Sequence, residues 1–177
     1  MSSLSPTLRI ARDVDVDAIR RIYVQVFEHP GEARFVDSMR GLVDCPQLSM
    51  VAEVDGEVSG HILLSEIQLQ GNTQLKIMAL APMAVVPKCQ GFGVGSAMIN
   101  VAIEQVRRRG YHAIIVIGLP DYYPRFGFRS LSEYGWQCPF EVDPTSILVA
   151  PLTDGPLHEG HEVLDYPAPF SQLFKLR

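Results

Sequence analysis

The sequence predicts an α/β protein of the α+β kind, with helices flanking a mixed central sheet of about six to seven strands. The first half contains an Asp55-Gly56 turn between two apolar runs, and this signal is typical of an antiparallel hairpin. Between residues 83 and 117, an apolar run is followed by a glycine-rich loop, a helical stretch and a second apolar run. That order predicts one right-handed βαβ crossover, and hence a parallel pair of strands beside the antiparallel part.

Length and composition fit a single domain. The chain has 177 residues, of which 47 % are hydrophobic, and this is enough to form a sizeable core. The formal net charge of −5 argues against nucleic acid as a partner. The first residues lack the cationic and apolar regions of a signal peptide, and the longest apolar run, 77–86, is too short to span a bilayer. Since the three cysteines form no framework of pairs, we expect a cytoplasmic protein with no membrane partner.

The N-terminal part predicts a short strand and two helices. The strand is expected at 8–11, and Asp13 is expected to cap the first helix. One stripe of that helix is apolar, at positions Ile19, Ile22, Tyr23, Val26 and Phe27. His29-Pro30-Gly31 ends it. The second helix is expected to reach Cys45-Pro46 and to carry its own apolar face, formed by Phe35, Val36, Met39, Leu42 and Val43.

Strands are expected next at 48–54, 58–70 and 74–86. Pro82 lies inside the third of these, and because proline cannot donate to a ladder we predict a bulge or a break there. Further strands are expected at 113–117, 146–152 and 162–166. The segment His158-Glu159-Gly160-His161 lacks the His-Glu-x-x-His spacing of a helical zinc site. We therefore predict a surface loop there and no metal.

A glycine-rich loop separates the strand that ends at Pro87 from a helix predicted at 96–109. Its glycines are Gly91, Gly93 and Gly95. Without Cβ atoms, successive backbone N–H groups can turn toward one point, and the positive end of the helix dipole adds to them. Such a loop favours a phosphate or pyrophosphate group.

Three phosphate-binding patterns compete for this loop. A Walker loop needs a lysine before the serine, and Gly95-Ser96 has none. A dinucleotide fingerprint needs a third glycine where Ser96 stands. The third pattern, Gln/Arg-x-x-Gly-x-Gly, is matched in full by Gln90, Gly93 and Gly95.

A second motif lies at 118–128, which reads Gly-Leu-Pro-Asp-Tyr-Tyr-Pro-Arg-Phe-Gly-Phe. In their order and separation, this motif and the loop resemble the two signatures of the GNAT N-acetyltransferase superfamily, and the wording resembles a bacterial branch with largely unassigned substrates. The resemblance covers about residues 8–152. We therefore expect an N-terminal tail at 1–7, a GNAT domain at 8–152 and a C-terminal extension packed on it at 153–177.

The resemblance implies the GNAT fold, in which the fourth and fifth strands splay apart and the acyl arm of acetyl-CoA enters the gap. It implies acetyl-CoA as co-substrate and no metal. The residues that it assigns to the cofactor are Met83, Val85, Gln90, Gly91, Phe92, Gly93, Val94, Gly95 and Ser96. A homodimer is possible, because dimers are common in the family.

The implied reaction is acyl transfer from a thioester to the primary amine of a small molecule. By resemblance, the backbone N–H of Val85 is the oxyanion donor, and Tyr123 is the general acid that faces the cofactor sulfur. Tyr122 is interpreted as a packing aromatic, and Arg125 and Phe128 as structural residues, with Arg125 paired locally.

The general base is left open by the sequence. Glu28 and Glu66 are the two candidates on the acceptor side, and each is also explained as a surface carboxylate. An amine that reacts from its minor neutral fraction needs no dedicated base.

Two other functions stay in view. A GNAT fold that binds acyl-CoA without turning it over would act as a sensing module. An oxidoreductase that uses the glycine loop for a dinucleotide would bind NADH in preference to CoA.

Overall fold

One mixed sheet organises the chain. The computed structural model describes residues 5–155, 157 and 160–175. Its strands are β1 (Thr7–Ile10), β2 (Gln47–Val54), β3 (Glu57–Leu69), β4 (Asn72–Val85), β5 (Ala113–Ile117), β6 (Arg129–Ser130), β7 (Ile147–Pro151) and β8 (Leu164–Asp165). They lie in the order β1-β2-β3-β4-β5-β7-β6, and β8 pairs with the end of β3. The two-residue strand β6 is the one that the sequence did not predict, and it brings the sheet to eight strands.

All neighbouring strands in this sheet are antiparallel except β4 and β5. The parallel pair is joined by the glycine loop and a helix, so the predicted βαβ crossover and the mixed sheet are confirmed. The β-branched run of β5 is buried on both faces, as continuous apolar strands are in parallel arrangements.

Three α-helices flank the sheet in the described part of the chain. They are α1 (Val16–Phe27), α2 (Gly31–Arg40) and α3 (Val94–Arg108). The apolar stripe of α1 faces the core, with Ile19, Ile22 and Tyr23 buried. No helix in this described part is both long enough and apolar enough to cross a membrane.

The start of α1 differs from the prediction for Asp13. A 3-10 turn at 13–15 precedes the helix, and it is the Asp15 carboxylate that accepts a hydrogen bond from the Arg12 N–H, at 2.7 Å. The same carboxylate binds both terminal nitrogens of Arg9, at 2.7 and 2.8 Å. The hydrogen bond from Arg9 lowers the pKa of Asp15 to about 2. Asp15 therefore ties β1 to the helix start, in place of a cap at Asp13.

The end of α2 also corrects the prediction. The helix ends at Arg40, so Val43 leaves the apolar face and is 92 % exposed. The side chain of Gln47 donates to the carbonyl oxygens of Met39 and Leu42, at 2.7 and 3.4 Å. Because these bonds satisfy carbonyl groups at the helix end, α2 can end three residues before Val43, the last apolar residue of its pattern.

The centre of β4 carries the predicted bulge. Ala81 and Pro82 together lie opposite one residue of β3, Leu63. The pairing of β4 with β5 ends just before the bulge, where Leu80 lies opposite Val116. Beyond this point β4 continues beside β3 alone, and the two central strands separate. This confirms the splayed arrangement that was expected of the fourth and fifth strands.

The C-terminal segment packs against α2 and β3. The Phe170 ring lies edge-on against Phe35 of α2, with centroids 4.9 Å apart, and both side chains are fully buried. Further along, Phe174 packs on Phe140, with centroids 5.2 Å apart. The strand expected at 162–166 is present as the shorter β8. The segment thereby brings Leu173 and Phe174 to the edge of the region where β4 and β5 separate.

Candidate active site

A cleft of about 880 Å³ opens where β4 and β5 separate. One wall is the bulged half of β4, and the opposite wall is the end of β5 with the turn that follows it. The glycine loop and the first turn of α3 close one end of the cleft. The corner between α1 and α2 lines another region of the cleft, together with Leu173 and Phe174. Most of the residues that the sequence assigned to the cofactor line this cleft. Phe92 does not line it and is 41 % exposed.

The backbone of Val85 faces the cleft. The Val86 N–H donates to the Ser59 carbonyl at 2.9 Å, which makes Val86 and Ser59 a hydrogen-bonded pair. Because such pairs alternate along an antiparallel ladder, Val85 points its N–H and C=O away from β3 and toward the gap. The Val85 carbonyl accepts from the Gln90 side chain at 2.8 Å. The Val85 N–H is therefore a donor on this edge of β4 that has no partner among the described residues.

The glycine loop presents the start of α3 to the same cleft. Gly91 and Gly93 have φ values of 78° and 89°, which favour glycine. Gly93 precedes the helix without any side-chain cap, and the first helical bond runs from Ala97 N–H to the Gly93 carbonyl, at 2.9 Å. The N–H groups of Val94, Gly95 and Ser96 precede this bond and are free to bind an anion. The helix begins at Val94, two residues before the predicted start.

Tyr122 covers the first turn of α3. A Cβ atom on Gly95 would lie 3.2 Å from the Tyr122 hydroxyl, so glycine allows the ring to approach the helix backbone. Arg125 stacks on this ring at 4.9 Å and donates from Nε to the Tyr122 carbonyl at 3.0 Å. The local pairing expected of Arg125 is confirmed. Because Arg125 also lines the cleft, it places a positive charge at the end that holds the glycine loop.

Tyr123 is held in the wall of the cleft by other rings. Its ring packs edge-on between Tyr122 and Phe128, with centroids 5.2 and 5.4 Å away. Burial raises the pKa of its hydroxyl, which makes no hydrogen bond with any described residue. A Cβ atom on Gly118 would lie only 2.5 Å from the ring, so this position depends on glycine. Gly118 is part of the second motif, but sequence reasoning assigned it no role.

A buried polar network supports the bulge. The Tyr23 hydroxyl lies 2.7 Å from His61 Nδ1 and donates to the Pro82 carbonyl at 3.0 Å. His61 Nε2 lies 2.8 Å from the Ser49 hydroxyl. Burial lowers the pKa of His61 to about 3, so the imidazole is neutral. The apolar stripe of α1 predicted a core position for Tyr23, and it gave no sign that the Tyr23 hydroxyl would bond to His61 and to the Pro82 carbonyl.

The two candidate bases lie outside the cleft. Glu28 is exposed at the end of α1, where its φ is 60°. Glu66 accepts a hydrogen bond from the Tyr111 hydroxyl at 2.6 Å and lines a separate depression of about 280 Å³ beside Asp165. Its partner on β4 is Met78, which precedes the bulge and is still paired with β5. The structure therefore does not bring either carboxylate to the expected site.

The carboxylate that does line the cleft is Glu32, in the first turn of α2. Sequence reasoning missed it, since an acidic residue after His29-Pro30-Gly31 is explained as a favourable helix start. The only sequence signal for it was its closeness to Glu28, the acceptor-side candidate at the end of the first helix.

Among the described residues, no group of three or more His, Cys, Asp or Glu side chains is placed to hold a metal ion. His158 and Glu159 of the predicted surface loop lie outside the described residues.

Comparison with known proteins supports the fold and identifies the family. The family described as acetyltransferase (GNAT) family matches residues 16–128. The Escherichia coli K12 protein named uncharacterized N-acetyltransferase YjhQ is 34 % identical over 139 residues, which cover 77 % of each chain. The E. coli K12 protein named uncharacterized N-acetyltransferase YhbS is 27 % identical over 168 residues, which cover 93 % of this chain and 98 % of YhbS.

Two solved structures are similar over nearly the whole chain. The crystal structure of YhbS from E. coli in complex with CoA superimposes with a TM-score of 0.84 at 25 % identity, covering 97 % of this chain and 94 % of that one. A GNAT family acetyltransferase from Brucella melitensis in complex with acetyl-CoA superimposes with a TM-score of 0.75 at 26 % identity, covering 94 % and 98 %. The matched family spans the strands, loop and motif that form the cleft. The chain therefore belongs to the GNAT family of acetyltransferases.

Proposed function

We propose that this protein is an acetyl-CoA-dependent N-acetyltransferase that moves the acetyl group to a primary amine of a small molecule by direct attack in a ternary complex. One observation carries the proposal. A backbone donor at Val85, the free N–H groups at 94–96 and the hydroxyl of Tyr123 all belong to one cleft, and none of them has a partner among the described residues.

The cleft fits the two polar parts of acetyl-CoA. The N–H groups at the start of α3 and the guanidinium of Arg125 suit the pyrophosphate, which is an anion. The free backbone edge of β4, at Met83 and Val85, suits the amide groups of the pantetheine arm, because it offers the bonds of a missing neighbouring strand. The CoA-bound and acetyl-CoA-bound relatives support this assignment.

Bound acetyl-CoA supplies the thioester, and Val85 stabilises the charge that develops on the acyl oxygen. Two hydrogen bonds fix the orientation of its N–H. One joins the next residue, Val86, to Ser59 of β3, and the other joins the Gln90 side chain to the Val85 carbonyl. A preorganised donor of this kind is worth roughly 3–4 kcal/mol in other acyl-transfer enzymes. The bulge is essential, since a strand paired with β5 at this point would occupy the same N–H.

Tyr123 protonates the leaving thiolate. Its raised pKa keeps the hydroxyl protonated throughout the neutral range, which a general acid requires. The hydroxyl makes no hydrogen bond with any described residue and is therefore free to donate to sulfur. The rings around it leave little freedom for the side chain, so the donor is held in one orientation.

Thermal unfolding with saturating acetyl-CoA, CoA and NADH tests the binding step. A ligand at about 100 times its Kd adds roughly 2.7 kcal/mol, which shifts the Tm of a chain of this size by several degrees. We expect a shift with both CoA species and none with NADH. The absence of a shift with CoA would overturn the proposal.

Release of CoA in the presence of a panel of primary amines tests the chemical step. Tyr123→Phe should lower kcat by about 10²–10⁴-fold and leave the affinity for acetyl-CoA unchanged. Tyr134→Phe is the matched control, because Tyr134 lies outside the cleft. Tight binding of acetyl-CoA without transfer to any amine, and without any effect of Tyr123→Phe, would instead indicate a sensing module.

A further inference from the structure

The cleft has opposite charges at two of its parts. Of the described residues that line it, Arg125 and Glu32 are the ones with a formal charge. Arg125 stacks on Tyr122, and the Tyr122 hydroxyl covers Gly95. The positive charge therefore lies beside the glycine loop. Glu32 lies at the corner between α1 and α2, on a different wall. An anion is favoured at the first position and a cation at the second.

Glu32 has an unsatisfied oxygen. Its side chain is only 16 % exposed, and its buried Oε2 accepts no hydrogen bond from the described residues. His29 Nδ1 lies 3.3 Å from this oxygen, but the same nitrogen accepts the Gly31 N–H at 3.2 Å, so in the neutral imidazole it carries no proton. A buried carboxylate oxygen without a donor is costly. Burial raises the pKa of Tyr23, and the charge of Glu32 adds to that rise. An acidic residue can stabilise the start of α2 from an exposed position. The burial of Glu32 in the cleft wall is therefore not explained by its place in the helix.

The surroundings of Glu32 in the cleft are apolar. The lining residues of the same corner and of the C-terminal segment are Val26, Phe27, Leu173 and Phe174. Each is partly buried and packed against the core. Two aromatic rings near a carboxylate suit an organic cation, because the ring faces attract positive charge as well. This part of the cleft offers one anionic group and an otherwise apolar wall.

We infer that Glu32 binds the ammonium group of the acceptor, and that the acceptor is a primary amine on an aromatic or aliphatic body without a carboxylate beside the amine. This inference rests on the proposed function and specifies its substrate class. During transfer, the ammonium releases one proton to solvent, its nitrogen bonds to the acetyl carbon, the carbon–sulfur bond breaks, and a second proton ends on the CoA thiol. The amide product is uncharged, so it loses its attraction to Glu32 and leaves.

The test compares probes that share a phenylethyl body and differ in their polar groups. Binding of 2-phenylethylamine, 2-phenylethanol and phenylalanine to the CoA-saturated protein is measured by calorimetry. The wild type should bind the amine about 10- to 100-fold more tightly than the alcohol, as expected for a hydrogen bond to a charged group. It should also bind the amine more tightly than phenylalanine, whose carboxylate would lie near Glu32. Glu32→Gln should lose the preference for the amine and keep the affinity for the alcohol.

Glu133→Gln is the matched control, because Glu133 is exposed and does not line the cleft. It should keep the wild-type preference. Equal binding of amine and alcohol by the wild type, no binding of either, or an unchanged preference in Glu32→Gln would overturn the inference. The comparison of probes on the wild type holds even where a variant fails to fold. Loss of CoA binding would contradict the proposed function itself, whereas loss of the amine preference alone leaves that function standing.

Discussion

The position of Tyr123 depends on the absence of a side chain at Gly118. In Gly118→Ala the new Cβ would lie 2.5 Å from Cε2 and 3.2 Å from Cδ2 of the tyrosine ring. Carbon atoms in ordinary contact lie about 3.5 Å or more apart, so the ring has to withdraw by about 1 Å. Gly118 is not among the glycines with positive φ, and the effect is therefore steric rather than a change of backbone preference.

Two losses should follow from that displacement. Overpacking of this kind costs about 1–3 kcal/mol, which lowers the Tm of a chain of this size by roughly 2–12 °C. A misplacement of about 1 Å in a catalytic group reduces kcat by up to about 100-fold. The affinity for acetyl-CoA should stay near the wild-type value, because the glycine loop is untouched.

Calorimetry and an assay of CoA release measure both losses. Gly155→Ala serves as the control, since no atom lies within 4 Å of a Cβ at Gly155, and it should behave as wild type. If Gly118→Ala kept the wild-type Tm and kcat, the ring of Tyr123 would not be held as described.

Three further substitutions test other parts of the site. Burial lowers the pKa of His61 from 6.5 to about 3, so the folded state resists a proton that the unfolded state binds. This contribution to the free energy of unfolding is complete above about pH 6.5 and is lost as the pH falls toward 3, at up to about 1.4 kcal/mol per pH unit. In urea unfolding at pH 7, 6 and 5, the free energy of unfolding should therefore fall less steeply for His61→Gln than for the wild type. Gln90→Ala removes the hydrogen bond to the Val85 carbonyl and should weaken acetyl-CoA binding about 3- to 10-fold in a titration. An unchanged affinity would contradict the role of Gln90 in fixing the Val85 backbone. Gly95→Ala places a methyl group 3.2 Å from the Tyr122 hydroxyl and should likewise raise the Kd for CoA, with normal affinity as the refuting result.

The parts of the fold that follow from local rules were predictable from the sequence. The hairpin at Asp55-Gly56, the glycine loop and the single crossover are each encoded by a short stretch of sequence that is compatible with few local structures. Pro82 predicted the bulge for a definite reason, since proline cannot donate to a ladder. The residues that line the cleft along β4 and the glycine loop were indicated by the two motifs, apart from Phe92, which is exposed.

The part of the cleft around Glu32 depends on contacts between distant segments, which no local pattern reveals. Glu32 reaches the cleft because α2 packs beside α1 and the C-terminal segment folds back over α2. Glu28 and Glu66 were reasonable carboxylates in sequence, but a left-handed residue at the end of α1 and the register of β3 turn them elsewhere. The bond from Tyr23 to Pro82 joins residues that are 59 positions apart.

A crystal structure of this protein with acetyl-CoA would show which groups of the cleft bind the cofactor. We expect the pyrophosphate at the N–H groups of 94–96 and the pantetheine arm in the gap between β4 and β5. We also expect the thioester oxygen within hydrogen-bond distance of the Val85 N–H, and the sulfur beside the Tyr123 hydroxyl. Acetyl-CoA bound outside the gap, or a Val85 N–H directed at another protein group in the complex, would contradict the proposed function of the cleft.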